Sequence, residues 1–541
     1  MSFLDAIVDA LTRDPARVAL TRDDGAAVTA GALLSRAAQV RAGLRARGVA
    51  PGDRVALLGS NSPDWLACDL ATLAEGAVLV PLDPRQDAAE RRALVADAEA
   101  KVVLVEDPAA LPSLPGAVVV DDLCAGHADA AFGPRVVVAG ASPATIIYTS
   151  GSTGEPKGAV LTWDNLDFML DHTTRRLERL SGLPFGEDRV LQVLPLCYAG
   201  SRVLALSSLR RGARVRLVAD PKRFAAALEE EAPHYVLTVP LILERLRRAV
   251  HEKVAARGAS LGRLLVEAEA AWARLEEGRA TLRDRAAVWL ARALLLRAVK
   301  RRVASRLRGI ICGSAPLLPE HQRFFRLLGV EVYQGYGLTE TTALCTLDVE
   351  GRVRPGWVGP ALPGVELKVD AEGQLLARGP NIFAGYWRRP SDLGFSPDGW
   401  FETGDLGDVD PDGRWRITGR KSAVLALATG HKVAPEPVED ALRALIGGDA
   451  QVVALGHGRP HLAALVAGAG VTEEQVARAL ERHNAAAEPK KKVHAFALVD
   501  TPFTTESGLL TPNLKLRRAA IAERFRGRID ALYARVPAGA R

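Results

Sequence analysis

Short apolar runs alternate with amphipathic stretches from Val55 onward. Val55-Ala56-Leu57-Leu58, Val78 to Leu82, Val102 to Glu106 and Val118 to Val120 are the runs, while Pro63 to Glu75 and Gln86 to Glu99 have helical spacing. Runs that are apolar at nearly every position predict strands buried on both faces, and their alternation with helices predicts βαβ crossovers in parallel sheet. The alternation resumes later: Ala144 to Tyr148 reads as a strand, Trp163 to Leu180 as a helix, and Val190 to Tyr198, Val215 to Val218 and Val236 to Pro240 as strands. Ahead of it, Leu33, Ala37, Val40 and Leu44 recur at helical spacing before Gly48, so residues 3 to 50 read as helices.

Two further changes of pattern follow. Glu244 to Arg308 is one long helical tract with Trp272, Leu275, Trp289, Leu294 and Leu295 among many arginines; it holds 17 basic against 7 acidic residues. Solvated helix faces explain such a surplus, and so does a patch that touches an anionic membrane. After a strand from Gly309 to Leu317 and a shorter one before Gln334, the tract from Pro355 to Arg420 reads as β-rich, with turns at Pro363-Gly364, Glu372-Gly373, Asp398-Gly399 and Asp412-Gly413. The fold class is therefore α/β, and 541 residues exceed what one core usually serves.

The polar interval after Tyr148 carries the first candidate chemistry. It reads Thr149-Ser150-Gly151-Ser152-Thr153-Gly154-Glu155-Pro156 and closes with Lys157-Gly158. The glycines allow positive φ and close approach to a ligand, and the hydroxyls of Thr149, Ser150, Ser152 and Thr153 add donors to exposed backbone N–H groups. Lys157 supplies a compact charge. A Ser/Gly-rich surface loop is the plainer reading, but a phosphate cradle better explains a lone lysine between two buried strands. No Gly-Lys-Ser/Thr follows, so the stretch is not a P-loop. Lysine is scarce, 12 against 58 arginines, which gives each retained lysine weight, because ammonium and guanidinium are not interchangeable.

Gly313-Ser314-Ala315 are small residues at a strand end and permit close approach of a flat group. In Gln334-Gly335-Tyr336-Gly337-Leu338-Thr339-Glu340-Thr341-Thr342, Tyr336 can stack on a base, Thr339 can bond a phosphate and Glu340 can hold Mg²⁺. Alone, the same stretch reads as a helix start capped by Thr339. Asp405 can accept two ribose hydroxyls and Arg420 can donate to the same sugar. A net charge of +6 without interleaved aromatics argues against a nucleic-acid role, and five scattered cysteines suit a reducing compartment without a zinc site. The start of the chain has no basic-then-apolar order and no run is long enough to span a membrane, so a cytoplasmic protein is expected, with peripheral membrane contact through residues 244 to 308 as an option.

Taken in order, YTSGSTGEPKG (148–158), GYGLTET (335–341), GWFETGDLG (399–407) and ITGRK (417–421) resemble the adenylate-forming, or AMP-binding, superfamily of acyl-CoA synthetases, adenylation domains and luciferases. GPNIFAGYW (379–387) and VAPEPVED (433–440) support this. The tract after Val239-Pro240 and the tail from Gly508 to Arg518 look most like the long-chain fatty acyl-CoA synthetases. The resemblance implies an N-terminal domain of residues 1–420, with two βαβ layered subdomains and a small β-rich one, and a mobile α+β domain of residues 421–541. It implies ATP, Mg²⁺ and coenzyme A, with a fatty acid first joined to AMP and then moved to a thiol. A carrier-protein thiol as acceptor, and a degenerate acyl or nucleotide sensor, are the alternatives.

Carried over by position, the loop Thr149, Ser150, Gly151, Ser152, Thr153, Gly154 and Lys157 holds the β- and γ-phosphates. Glu340 holds Mg²⁺, Thr339 meets the α-phosphate, and Lys515 bridges that phosphate and the acid. Gly313, Ser314, Ala315, Tyr336 and Gly337 line the adenine and acyl sites, Asp405 and Arg420 hold ribose, and Gly430 marks the thiol face. The chain departs from the family at Ser422 and Ala423, where an acid or lysine is usual, at Gln374 for glutamate, and at Tyr198. Limited proteolysis of the nucleotide-free protein is expected to cut near Lys421; resistance there, with unfolding as a single unit, would refute a hinge at that point.

Overall fold

The computed structural model describes residues 2–150, 156–303, 305–389, 394–510 and 516–534. A six-stranded sheet has the order Val118–Val119, Val102–Val105, Arg54–Leu58, Val78–Leu82, Pro143–Ser150, Pro156–Thr162, parallel except for the last pair. Every residue of Val78–Leu82 is buried, as expected of an inner parallel strand with both faces covered. Helix Pro63–Ala74 crosses over between two of these strands. Ser62 accepts the N–H of Trp65 and Pro63 opens the first turn, which satisfies or removes N–H groups that lack helical partners.

An eight-stranded sheet has the order Thr346–Leu347, Glu331–Tyr336, Gly309–Cys312, Tyr235–Thr238, Arg189–Gln192, Arg214–Leu217, Val18–Thr21, Ala27–Thr29, parallel except at its two outer pairs. A buried ion pair joins a helix of each sheet layer: Arg202, on Ala199–Arg210, grips both oxygens of Asp69, on Pro63–Ala74, at 2.8 and 2.6 Å.

Some elements differ from the sequence expectation. Residues 3 to 50 are not all helical: Phe3–Arg13 and Ala30–Ala46 are helices, but Val18–Thr21 and Ala27–Thr29 are strands. The first of these pairs parallel with Arg214–Leu217, Leu20 opposite Val215, a partner far away in the chain. The strand expected from Val190 to Tyr198 ends at Gln192; Pro195 has no N–H to give a ladder, and Tyr198 is the N-cap of Ala199–Arg210. The helical tract is broken into Pro240–Ala255, Ala259–Glu276, Leu282–Ala291, a π segment Arg292–Leu296 and Arg297–Val303, with Gly258 (φ 147) and Gly278 (φ 71) at the first two breaks. Its inner side packs Leu243, Leu265, Ala268 and Val288 into one cluster with Val236, Ile310 and Val332 of the eight-stranded sheet.

The chain divides into two compact units, Met1–Lys368 with Leu376–Glu402 and Val409–Arg416, and Val369–Leu375 with Thr403–Asp408 and Ile417–Arg541. The division passes through a four-stranded sheet of order Glu366–Val369, Gln374–Arg378, Phe401–Val409, Trp415–Arg420. In the second unit, strands Gln451–Leu455, Leu462–Ala467 and Val493–Leu498 form a sheet whose two faces carry separate apolar clusters, Val452, Leu462 and Val466 on one and Val453, Ala463 and Leu465 on the other. Buried Glu439 ties that unit together, accepting from Arg518 at 2.6 and 2.8 Å and from the N–H of Ala454 at 2.7 Å.

Asp348, just after the outer strand Thr346–Leu347, is buried, accepting the N–H of Gln334 at 2.8 Å, and burial pushes its carboxyl up to about 8. The protonated form is thus favoured in the folded state. Its stabilisation is complete below the ordinary carboxylate value of about 4 and is lost as pH rises through about 8. Asp348→Asn is expected to flatten the decline of stability between those limits, measured by denaturant unfolding at a series of pH values. An unchanged slope would show that Asp348 titrates as an ordinary carboxylate.

Candidate active site

The strands on either side of the stretch that the sequence marks as a phosphate cradle pair antiparallel, with Thr149 opposite Lys157 and Tyr148 opposite Gly158. Gly151, Ser152, Thr153 and Gly154 lie outside the described residues, as does Lys515; of Ser150 the strand backbone alone is described. Gly158 has a steric reason: a Cβ there would come within 2.6 Å of the Ile146 side chain. Tyr148 anchors the hairpin by donating its hydroxyl to Asp97 at 2.5 Å. Burial, and then the Asp97 carboxylate, push that phenol well above its ordinary value.

A second segment lies along this hairpin. Val160 donates to Gly385 O at 3.0 Å, Ala384 to Val160 O at 3.0 Å and Trp387 to Gly158 O at 2.7 Å. The same segment reaches the Glu340 turn: Phe383 donates to Glu340 O at 2.9 Å, and the Thr342 hydroxyl to Asn381 O at 2.8 Å. Asn165, one turn into helix Trp163–Ser181, holds it from below by donating to Pro380 O and Ile382 O at 2.8 and 2.9 Å. The stretch from Gly379 to Trp387 is therefore a strap across both motifs.

Tyr386, on this strap, brings them together. Its hydroxyl donates to Glu340 Oε1 at 2.9 Å, and the Lys157 ammonium lies over its ring, 5.3 Å from the centroid. Lys157, Glu340 and Tyr386 are all half-buried. Sequence reasoning singled out the first two and not Tyr386; the strap's sequence resemblance was the available signal. It also missed a cluster around Tyr198, whose hydroxyl donates to buried Asp83 at 2.5 Å while Arg85 grips the same carboxylate at 2.8 Å.

Glu340 sits in a single 3-10 turn, Thr339–Thr341, not at the start of a long helix. The Thr341 hydroxyl, rather than Thr339, accepts the Leu338 N–H, at 2.8 Å. Thr342 and Ala343 then take left-handed φ of 49 and 90 and turn the chain back. Tyr336 ends strand Glu331–Tyr336 with its ring buried, and Gly337 is packed so closely that a Cβ would lie 2.2 Å from Ala343 O. Gly313 follows the adjacent strand Gly309–Cys312, where a Cβ would lie 3.2 Å from Gly335 O; Ser314 has φ 72, and Ala315 follows it. These small residues cluster at the carboxyl end of parallel strands, where open α/β sheets take ligands.

In the second unit, buried Asp405 receives Arg420 Nε on Oδ1 at 2.7 Å, so the two residues assigned to one sugar adjoin each other. Lys421 pairs with Glu372 at 2.9 Å, and Ser422 and Ala423 complete a 3-10 turn. Gly430, at φ 83, forms the bend between Leu425–Ala426 and Lys432–Val433.

The sequence profile of the AMP-binding enzyme family matches residues 8–387, and that of the AMP-binding enzyme C-terminal domain matches 422–537. The chain belongs to the AMP-binding enzyme family. It is 32% identical to long-chain-fatty-acid–CoA ligase FadD15 of Mycobacterium tuberculosis over 92% of this chain and 91% of that protein. To human long-chain-fatty-acid–CoA ligase 6 it is 28% identical, over 72% of this chain and 60% of that one. The crystal structure of ATP-bound MatB from Rhodopseudomonas palustris superposes with a TM-score of 0.74 at 25% identity, covering 97% of this chain and 99% of that one.

Among the described residues of this AMP-binding enzyme, no three His, Cys, Asp or Glu side chains converge as a metal cluster, and no helix is long and apolar enough to cross a membrane. A lone half-buried carboxylate such as Glu340 suits a hard cation that keeps its waters and phosphate oxygens, which is the habit of Mg²⁺. Gly337→Ala is expected to displace the Glu340 turn, lowering stability by about 1–3 kcal/mol and weakening ATP binding about tenfold. Gly430→Ala, with no atom within 4 Å of the new Cβ, is expected to lose only about 1 kcal/mol from backbone strain. Denaturant unfolding and calorimetric ATP titration of both variants check this; equal effects would remove the steric argument.

Proposed function

We propose that this enzyme is an ATP-dependent acid–thiol ligase that activates a long-chain fatty acid as acyl-AMP and transfers the acyl group to coenzyme A. One observation carries the reading: Lys157 of the hairpin and Glu340 of the turn meet on Tyr386, in a chain 32% identical along 92% of its length to a long-chain-fatty-acid–CoA ligase. Coenzyme A is preferred over a carrier protein because it is the acceptor named in the two relatives above.

The first half-reaction joins two anions, a carboxylate and the α-phosphate, so it needs charge stabilisation more than proton transfer. Lys157 and the loop from Thr149 hold the β- and γ-phosphates, and Thr339 meets the α-phosphate. Glu340 holds Mg²⁺, which neutralises phosphate charge when bound. Asp405 accepts ribose hydroxyls beside Arg420, and Gly313 to Ala315, Tyr336 and Gly337 shape the adenine and acyl seats. Lys515 joins acid and α-phosphate during adenylation. Residues 421–541 then swing about Lys421, so that the face near Gly430 receives the thiol.

The enzyme is proposed to be cytoplasmic and to rest on membrane surfaces. Val266, Leu282, Trp289, Leu290 and Leu294 account for five of the eight large apolar side chains exposed among the described residues, and all five lie in the arginine-rich helical tract. Apolar anchors amid cations suit the interface of an anionic bilayer.

Pyrophosphate release is to be measured over a panel of carboxylic acids with and without coenzyme A; long-chain acids and a coenzyme A-dependent thioester product are expected. Lys515→Ala should cut acyl-AMP formation by about a hundredfold or more while leaving ATP affinity within about threefold, and thioester formation from supplied acyl-AMP should survive. Ser422→Pro should show the converse. Loss of both half-reactions in Lys515→Ala, or of neither in Ser422→Pro, would refute the two-pose mechanism. Binding to anionic vesicles that weakens with salt is expected, and equal partition into neutral vesicles would remove the electrostatic reading.

A further inference from the structure

Tyr386 touches two functional groups with two chemically different parts of one side chain. Its phenol donates to Glu340 Oε1 at 2.9 Å, and its ring face lies under the Lys157 ammonium at 5.3 Å. The ring is itself fixed: Phe383 meets it edge-on with centroids 4.9 Å apart, Tyr386 bridges Ala159 on the hairpin strand, and the neighbours Gly385 and Trp387 hydrogen bond to the same strand. A flexible glutamate and a flexible lysine thus both meet a ring that the strap's backbone holds in place.

We infer that Tyr386 is a positioning residue for nucleotide binding, orienting Glu340 for the divalent cation that accompanies the nucleotide and seating Lys157 for its phosphates. The inference rests on the ATP-dependent reading above and extends it to a residue to which the sequence assigned no role. With Oε1 receiving the phenol, Glu340 keeps Oε2 and a second lone pair on Oε1 for the cation, and the carboxylate no longer has to be ordered when the cation arrives. The ring face attracts the ammonium through its quadrupole and so offers Lys157 a fixed seat.

The test is calorimetric titration of ATP into the full-length protein, in EDTA and then in a Mg²⁺ series, for wild type, Tyr386→Phe, Tyr386→Leu, Glu340→Gln and the double variant Tyr386→Phe/Glu340→Gln. Thermal unfolding of each confirms that it is folded. Tyr386→Phe keeps the ring and loses the hydroxyl. Its ATP affinity in EDTA should stay within about twofold of wild type, while the Mg²⁺ concentration that half-saturates the tightening of ATP binding should rise about tenfold, the worth of a hydrogen bond to a charged group. Tyr386→Leu should also weaken binding in EDTA, by about threefold, because the seat of Lys157 is gone. In the Glu340→Gln background, Tyr386→Phe should add nothing, since it acts through Glu340.

An unchanged Mg²⁺ dependence in Tyr386→Phe overturns the inference, and so does a full Tyr386→Phe effect in the absence of Glu340. If wild type binds no ATP, or binds it without regard to Mg²⁺, the ligase reading falls and takes this inference with it. If wild type behaves as expected and the variants alone disagree, only the role of Tyr386 is lost.

Discussion

Strand Pro156–Thr162 has a partner on each side. On one it pairs with Pro143–Ser150, and on the other Gly158 and Val160 exchange backbone hydrogen bonds with Ala384, Gly385 and Trp387. The site hangs on this second ladder. It brings a stretch from beyond residue 380 against a lysine at 157, and the same stretch holds the Glu340 turn through Phe383 and Asn381. Backbone ladders are rigid compared with long side chains, so charges at the ends of flexible residues gain a fixed reference.

Much of this was legible in the sequence, for physical reasons. Val78–Leu82 and its neighbours are unbroken apolar runs because inner parallel strands have no solvent face. The two strands that flank the candidate cradle were legible because small, hydroxylated residues and one lysine interrupt two such runs. The strands Val18–Thr21 and Ala27–Thr29 were not, because they are short and owe their existence to a partner at Arg214–Leu217; the helical spacing of Leu33 to Leu44 was extended backwards over them. The breaks in the arginine-rich tract lie at Gly258 and Gly278, which helical spacing alone passes over. Tyr386 lay within a stretch that the resemblance marked, but its contacts with two other segments are not encoded in any local pattern.

Two buried carboxylates join elements. Asp69 with Arg202, and Glu439 with Arg518, are joined by paired close hydrogen bonds that tie one element to another. Such pairs contribute more to uniqueness of packing than to net stability, because desolvation offsets their attraction. Lys157 and Glu340 are instead half-buried, where a charge is partly relieved of water but still able to meet a ligand. The Lys421–Glu372 pair is more exposed still, at 43% and 58%, and contributes little.

The strap does one thing more. Uncovered, Pro156–Thr162 would be the edge of a six-stranded sheet, with a row of unpaired N–H and C=O groups able to recruit a strand from another molecule. Its cover lies more than two hundred residues downstream and cannot dock until Trp387 has left the ribosome. During synthesis, therefore, the nascent sheet carries an open edge until the strap has emerged. Substitutions in the strap that spare every side chain of the site are still constrained by this interval, in which the chain has to avoid pairing with its neighbours on the same message.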